Sequence, residues 1–333
     1  MLTRQKIVIF KSAIVTATVV KQTSLEGIIV PLITPILPDL EVDESSPWAI
    51  VNHVITGGVD GILVNGATAE FYSLSRLQRK YNLIRVVGHT EGRVPVIANV
   101  TDNLRAGSYE EALQLTKQNI NDATEARANH VLLCPYYYNS ITEENVVQFT
   151  KEVADYAAKK GLPLFLYNNQ RIHHDEKSLP IGVVSELSRY DNIAGIKDSS
   201  EDLDYFMQLL ALQNQGFKVF QGSERLIHAS FSGKIKPAGI VPSMANVAPE
   251  FVRSVYEHPI EASQRNMDWA CALLYGKSDS KYTHIIGGIK DVLCKMGLIS
   301  TPRMIDGSSV SISSINMRLF EQFKNVQLRA YSK

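Results

Sequence analysis

The chain has no surplus of charge of either sign: its 333 residues carry 34 Lys+Arg and 34 Asp+Glu. That balance gives no sign of nucleic acid or an anionic membrane surface as a partner. Cysteine is scarce. Cys134, Cys271 and Cys294 are odd in number, far apart, and lack CxxC or Cys/His metal spacing. They read as reduced thiols of an intracellular protein, with neither a disulfide frame nor a metal site. No apolar run approaches the ~20 residues that span a bilayer, so no membrane partner is expected. The first 25 residues lack acids, while Arg4, Lys6, Lys11 and Lys21 are basic and Ser and Thr are common. Two readings of this stretch stay open, a removable organelle transit peptide or an extension packed on the surface. The expected location is the cytoplasm, or an organelle matrix if the transit reading holds.

What is present is an ordinary globular composition, 45% hydrophobic and 20% charged. It is organised as a repeat. Short β-rich runs at 28–33, 61–64, 94–98, 130–134, 163–166, 193–196, 218–220 and 237–241 end in polar or Gly-containing turns, each followed by a helix-period segment and most at βα spacing. Ser75 and Gln78 have the spacing of a capping box. Thr142 is placed to cap the helix after the fourth run, where Glu143 and Glu144 complement the dipole. Val146, Phe149, Val153 and Ala157 make one apolar stripe there. Strands so continuously apolar are covered on both faces, as in a parallel sheet.

Eight βα units in about 215 residues predict an α/β fold, a TIM (β/α)8 barrel with a small C-terminal helical subdomain. The expected organisation is an N-terminal extension over 1–26 and the barrel over 27–245. The last barrel helix and the helical subdomain follow over 246–333, with Gly297 and Pro302 as stops.

In this fold the active site lies at the carboxyl ends of the strands. Tyr167 and Lys197 close the fifth and sixth runs there. The same rule brings in Thr34, the turn at 66–70, Asn99, Tyr136 to Tyr138, Gly222 and Pro242. A lysine ringed by apolar residues has its ammonium form disfavoured. Its neutral amine can attack a ketone to form a Schiff base, and a neighbouring phenol can shuttle the protons. The plainer alternatives are a solvated lysine and a packed tyrosine ring. Their shared placement on one face of the barrel favours chemistry.

With those positions assembled, the chain resembles the dihydrodipicolinate synthase / N-acetylneuraminate lyase family of class I aldolases. The stretches that carry the resemblance are "PLITP" at 31–35, "NGATAEFYSLS" at 65–75, "PYYYN" at 135–139, "LYNNQ" at 166–170, "GIKDSS" at 195–200, "QGSE" at 221–224, "AGIVPSMANVAPE" at 238–250 and "GIKDVLCKMGLIS" at 288–300. The resemblance implies that Lys197 is the Schiff-base lysine for pyruvate or another 2-oxo acid, and Tyr167 the acid/base phenol of a YNxP motif. It implies that Thr68, with neighbouring backbone N–H groups, holds the substrate carboxylate. Tyr137 would extend a proton relay across a subunit contact, and Gly222 and Val241 would line the pocket through backbone groups. A homotetramer or homodimer is implied, and no cofactor.

Departures from the family pattern bear on substrate. Ala67 stands where a GTTGE motif has its first hydroxyl, and Ala69 where it has its last glycine. Gln170 stands where YNxP has its proline. An arginine expected five residues after the tyrosine is replaced by Ile172, with Arg171 one residue early and His173 and His174 following. These changes favour an aldolase that converts a 2-keto-3-deoxy sugar acid, or a similar hydroxylated 2-oxo acid, to pyruvate and an aldehyde. Arg171 is then a candidate for the distal polar groups. The first alternative is 4-hydroxy-tetrahydrodipicolinate synthase, which joins pyruvate to aspartate semialdehyde. Dehydratases, 4-hydroxy-2-oxoglutarate aldolase and N-acetylneuraminate lyase share the same core and stay open, as does a non-catalytic 2-oxo-acid sensor.

Overall fold

The computed structural model describes residues 25–102, 106–135, 142–170, 178–275 and 282–331, excepting the side chains of 282, 283 and 325–331. Eight parallel strands close into one barrel: β1 (Gly27–Pro31), β2 (Gly61–Val64), β3 (Val96–Asn99), β4 (His130–Leu133), β5 (Leu164–Asn168), β6 (Ile193–Asp198), β7 (Lys218–Gln221) and β8 (Gly239–Ile240). Helices α1 (Pro47–Thr56), α2 (Arg76–Thr90), α3 (Tyr109–Glu125), α4 (Glu143–Ala158), α5 (Ile181–Leu187), α6 (Leu203–Leu210) and α7 (Ile227–Phe231) lie between them. They are followed by α8 (Pro249–Glu257), α9 (Glu261–Tyr275), α10 (Tyr282–Lys295) and α11 (Ser314–Tyr331).

The apolar runs become strands because both their faces are buried. Val30, Ile62, Val64, Val96, Val131 and Leu133 pack outward among helix side chains. Ile29, Leu63, Ile97 and Leu132 fill the barrel interior, joined by Leu25 from the amino-terminal end. This is the two-sided burial of a parallel sheet. The local helix signals hold: Ser75 and Gln78 form a reciprocal capping box on α2, and Thr142 accepts from the Asn145 N–H at the start of α4. Val146, Phe149, Val153 and Ala157 are all buried.

Two of the strands that fall short of their apolar runs, β1 and β8, do so for identifiable reasons. Past β1 the Asn246 side chain takes over the pairing: it accepts from the Ile33 N–H at 3.1 Å and donates to the Pro31 carbonyl at 3.0 Å. Around β8, Pro237 and Pro242 have no N–H to offer a ladder. Gly239 must also pass so near β1 that a Cβ would come within 2.0 Å of the Gly27 carbonyl oxygen.

The helices expected over 246–333 break near their expected stops, Gly297 and Pro302, and the break is long. Gly297, at φ 73°, follows the end of α10, and residues 296–313 form no helix. That segment crosses to the loop after β1, where Ser300 bonds to Asp43 and Thr301 to the Ile36 carbonyl. The C-terminal helices are tied to the barrel more deeply by Lys290. It is fully buried and meets Glu70 at 2.5 Å, while Glu70 also accepts from the Ile305 N–H at 2.9 Å. Removing one member of such a pair leaves a buried charge uncompensated, at a typical cost of about 3–5 kcal/mol.

Candidate active site

Lys197 reaches the barrel interior because β6 slips by one residue against β5. The ladder pairs Leu164 with Ile193 but Phe165 with Gly195, leaving Ala194 as an extra residue. Ile193 faces the helices, and so does Ile196, three positions on. A regular strand with Ile193 outward would turn Lys197 outward too. The bulge inverts the phase and gives Lys197 the inner face. Gly195 permits the close fit, since a Cβ there would come within 2.2 Å of the Lys218 carbonyl oxygen and 2.7 Å of the Phe165 ring.

Tyr167 arrives by plain alternation: Leu164 and Leu166 face the helices, Phe165 and Tyr167 the interior. Tyr167 and Lys197 are Cα partners across the ladder. Lys197 Nζ lies 4.5 Å from the centroid of the Tyr167 ring. Lys197 also lines a small apolar cavity in the barrel interior, with Leu63, Ile97, Leu132, Phe165, Phe220 and Val241 among its other walls. Burial pushes the Lys197 pKa down to about 7, against an opposing pull from Glu224. Near neutral pH a large share of the amine is therefore an uncharged nucleophile.

Other groups surround this pair. Asn169, just past β5, donates from Nδ2 to Tyr167 Oη at 2.6 Å. Asn168 points the other way, to Asp198 at 2.6 Å and the Leu179 N–H at 2.9 Å. Asp198 is buried beside Lys197 in sequence, and burial raises its pKa to about 6 against the hydrogen bonds from Asn168 and Ser200. Gln170 donates to Ser178 at 2.9 Å, stitching together the two ends of the β5–α5 loop. Past β7, desolvation raises the pKa of the partly buried Glu224, opposed by bonds from the Met244 N–H at 2.5 Å and the Cys271 thiol at 3.5 Å.

The turn after β2 is rigidly supported. Asn65 and Glu70 adopt positive φ values of 57° and 56°. Asn65 is held by the side chains of Asn82 and Asn99, at 2.9 and 2.7 Å, and Glu70 by Lys290. Such backbone persists only where its surroundings over-determine it. Ala67 and Thr68 are buried within the turn, and Thr68 Oγ1 lies 3.4 Å from Ser243 Oγ in the turn after β8.

Gly222 packs against the end of β6: its N–H donates to the Asp198 carbonyl at 2.7 Å, and a Cβ would strike Ser199. Val241 donates to the Gln221 carbonyl at 2.8 Å and turns its side chain into the cavity. Tyr137 and Arg171, with Tyr136, Tyr138 and Ile172 to His174, lie outside the described residues. Asn169, Glu224 and Ser243 were not singled out from the sequence. The signal for Asn169 is its position two residues after Tyr167, which continues the strand's inward face. Glu224 and Ser243 follow from the strand-end rule that selected Gly222 and Pro242.

Residues 24–305 match the model of the dihydrodipicolinate synthetase family. A 4-hydroxy-tetrahydrodipicolinate synthase of Methanothermobacter thermautotrophicus is 30% identical over 233 residues, 68% of this chain and 76% of that protein. The structure of dihydrodipicolinate synthase from Bacteroides thetaiotaomicron is similar with a TM-score of 0.74 at 24% identity, covering 91% of this chain and 99% of that one. That of 2-keto 3-deoxygluconate aldolase from Picrophilus torridus has a TM-score of 0.73 at 21% identity, covering 86% and 99%. At these identities the two structural likenesses speak for the fold alone.

Proposed function

This chain belongs to the dihydrodipicolinate synthetase family of lyases, and from that premise we propose that it is a Schiff-base aldolase. It interconverts a 2-keto-3-deoxy sugar acid, or a related hydroxylated 2-oxo acid, with pyruvate and an aldehyde. The observation that carries this reading is the pairing of a desolvated Lys197 amine with the Tyr167 ring, 4.5 Å apart, inside the barrel.

In the proposed reaction Lys197 Nζ adds to the C2 carbonyl of the 2-oxo acid, and loss of water leaves an iminium ion. Tyr167 gives its proton to the departing water, and the phenolate so formed takes the proton of the C4 hydroxyl. The C3–C4 bond breaks and its electron pair moves toward the iminium nitrogen, releasing the aldehyde and leaving an enamine. Protonation at C3 and hydrolysis return pyruvate and the free lysine. The protein amine is the electron sink, so the scheme needs no cofactor. Thr68, in the braced turn after β2, is proposed to hold the substrate carboxylate, with Tyr137 extending the relay and Arg171 meeting the distal end.

A second reading is 4-hydroxy-tetrahydrodipicolinate synthase, the name borne by the Methanothermobacter relative. Ala67, which has no hydroxyl, and Gln170, bonded to Ser178, weigh toward the first reading. The deciding experiment is a panel of acceptors, polyhydroxylated aldehydes and aspartate semialdehyde, scored for pyruvate consumption. Preference for the former supports the proposal, and efficient use of aspartate semialdehyde replaces it with the synthase. A folded protein that binds pyruvate and consumes it with none of them is a sensor.

Self-association is part of the proposal, as a homotetramer or homodimer. Tyr72, Leu77 and Tyr81 are large apolar residues left 41%, 58% and 51% exposed, the last two one helical turn apart on α2. Light scattering at micromolar concentration tests it, and a stable active monomer contradicts it.

A further inference from the structure

We infer that Asn169 is a positioning residue for Tyr167, holding the phenolate that forms each time the phenol gives up its proton. The inference rests on the Schiff-base reading and extends it to a residue outside the lysine–tyrosine pair.

The two consecutive asparagines after Tyr167 are separated by strand alternation. Asn168 turns to Asp198 and the Leu179 N–H, and so holds the β5–α5 loop. Asn169 continues the inner face and donates to the phenol oxygen at 2.6 Å. Both partners are shielded from water, Asn169 being 5% and Tyr167 3% exposed. A hydrogen bond to an ionised oxygen is about twice as strong as one between neutral groups. The Asn169 N–H therefore favours the phenolate over the phenol, and low local dielectric sharpens the difference. Only an interaction that strengthens along the reaction accelerates it. Ala67 in the turn after β2 has no side-chain donor to share this task.

The proton steps balance. After Lys197 Nζ has added to the C2 carbonyl of pyruvate, the carbinolamine oxygen takes the phenol proton and leaves as water. The nitrogen lone pair forms the C=N bond, and Tyr167 is left as a phenolate held by Asn169. The phenolate then takes a C3 proton, giving the enamine and restoring the phenol. Reversal in deuterium oxide returns deuterium to C3.

Pyruvate alone is the probe, which removes any dependence on the aldehyde. Two measurements are made on wild type, Asn169→Leu and Asn169→Asp: borohydride trapping of the Lys197 adduct by intact mass, and deuterium entry at pyruvate C3 by NMR across pH at saturating pyruvate. Under saturation the lysine is already in the imine, and Lys197, Glu224 and Asp198 are common to all three proteins. Both variants should still trap pyruvate, which also reports a folded site. Exchange should fall by roughly 10- to 100-fold, at or below the ~10²–10⁴-fold expected for losing the acid/base group itself. Its acid limb, where the rate rises as phenolate forms, should move to higher pH, further in Asn169→Asp, whose carboxylate repels the phenolate. A limb that stays in place, whatever the rate, confines Asn169 to packing and overturns the inference. A wild type that forms no adduct overturns the Schiff-base reading itself, and this inference with it.

Discussion

Lys197 and Tyr167 are Cα partners on adjacent parallel strands, with the lysine nitrogen 4.5 Å from the centre of the phenol ring. Both groups are borne by the barrel wall itself, which holds their geometry more firmly than a loop can. The surrounding side chains are largely apolar, and Glu224 offsets only part of the water the ammonium has lost. The stability cost of that burial is what makes the amine available.

Tyr167→Phe keeps the ring and its packing but removes the transferable proton. Turnover should fall by about 10²–10⁴-fold with the melting temperature little changed. Steady-state kinetics beside a thermal melt checks this, and unchanged turnover would move the acid/base role to another group.

Gly195→Ala tests the bulge. The added methyl meets the Lys218 carbonyl oxygen at 2.2 Å and the Phe165 ring at 2.7 Å. Overpacking of this kind typically costs about 1–3 kcal/mol. Because the strain sits two residues before Lys197, pyruvate trapping should slow as well. Wild-type stability in urea and wild-type trapping would together refute the role given to this glycine.

Lys197→Met should stabilise the protein. The folded lysine titrates at about 7 and its ordinary value is 10.5. Between those values the unfolded chain keeps a proton that the folded chain has shed, so wild-type stability rises with pH through this window. The variant should be more stable by a few kcal/mol near neutral pH, with the gap closing toward pH 10.5. Denaturant melts across that range check the sign, and a gap that widens with pH contradicts it.

His130→Leu should flatten the acid side of the stability curve. His130 stands two residues before Leu132 on β4, its ring edge-on to Phe165 with centroids 5.6 Å apart. Burial lowers its pKa from 6.5 to about 4. The unfolded state therefore takes up a proton first, and wild type loses stability as pH falls through that interval. Equal losses in the variant and wild type would place the acid sensitivity elsewhere.

Much of the fold was legible in the sequence because its signals are local. The apolar runs, the Ser75–Gln78 box and the Thr142 cap each depend on residues a few positions apart. The phase of β6 was harder. Ile193 and Ile196 lie three apart with Gly195 between them, a pattern that fits a bulge better than a regular strand. That irregularity, rather than the position at a strand end, gives Lys197 the inner face. Gly297 and Pro302 marked the stops in 296–313, but the path of that segment was not local: its partners are Ile36 and Asp43, more than two hundred residues away in sequence. Strand alternation put Asn169 on the inner face with Tyr167, but its bond to the phenol oxygen shows only in the structure.

The most direct test is borohydride reduction in the presence of pyruvate, near neutral pH, read by intact mass and peptide mapping. Wild type should gain one reduced pyruvyl group located on Lys197, and Lys197→Ala should gain none. A folded wild type that never acquires the group, or acquires it on another lysine, would contradict the assignment of Lys197 as the Schiff-base residue.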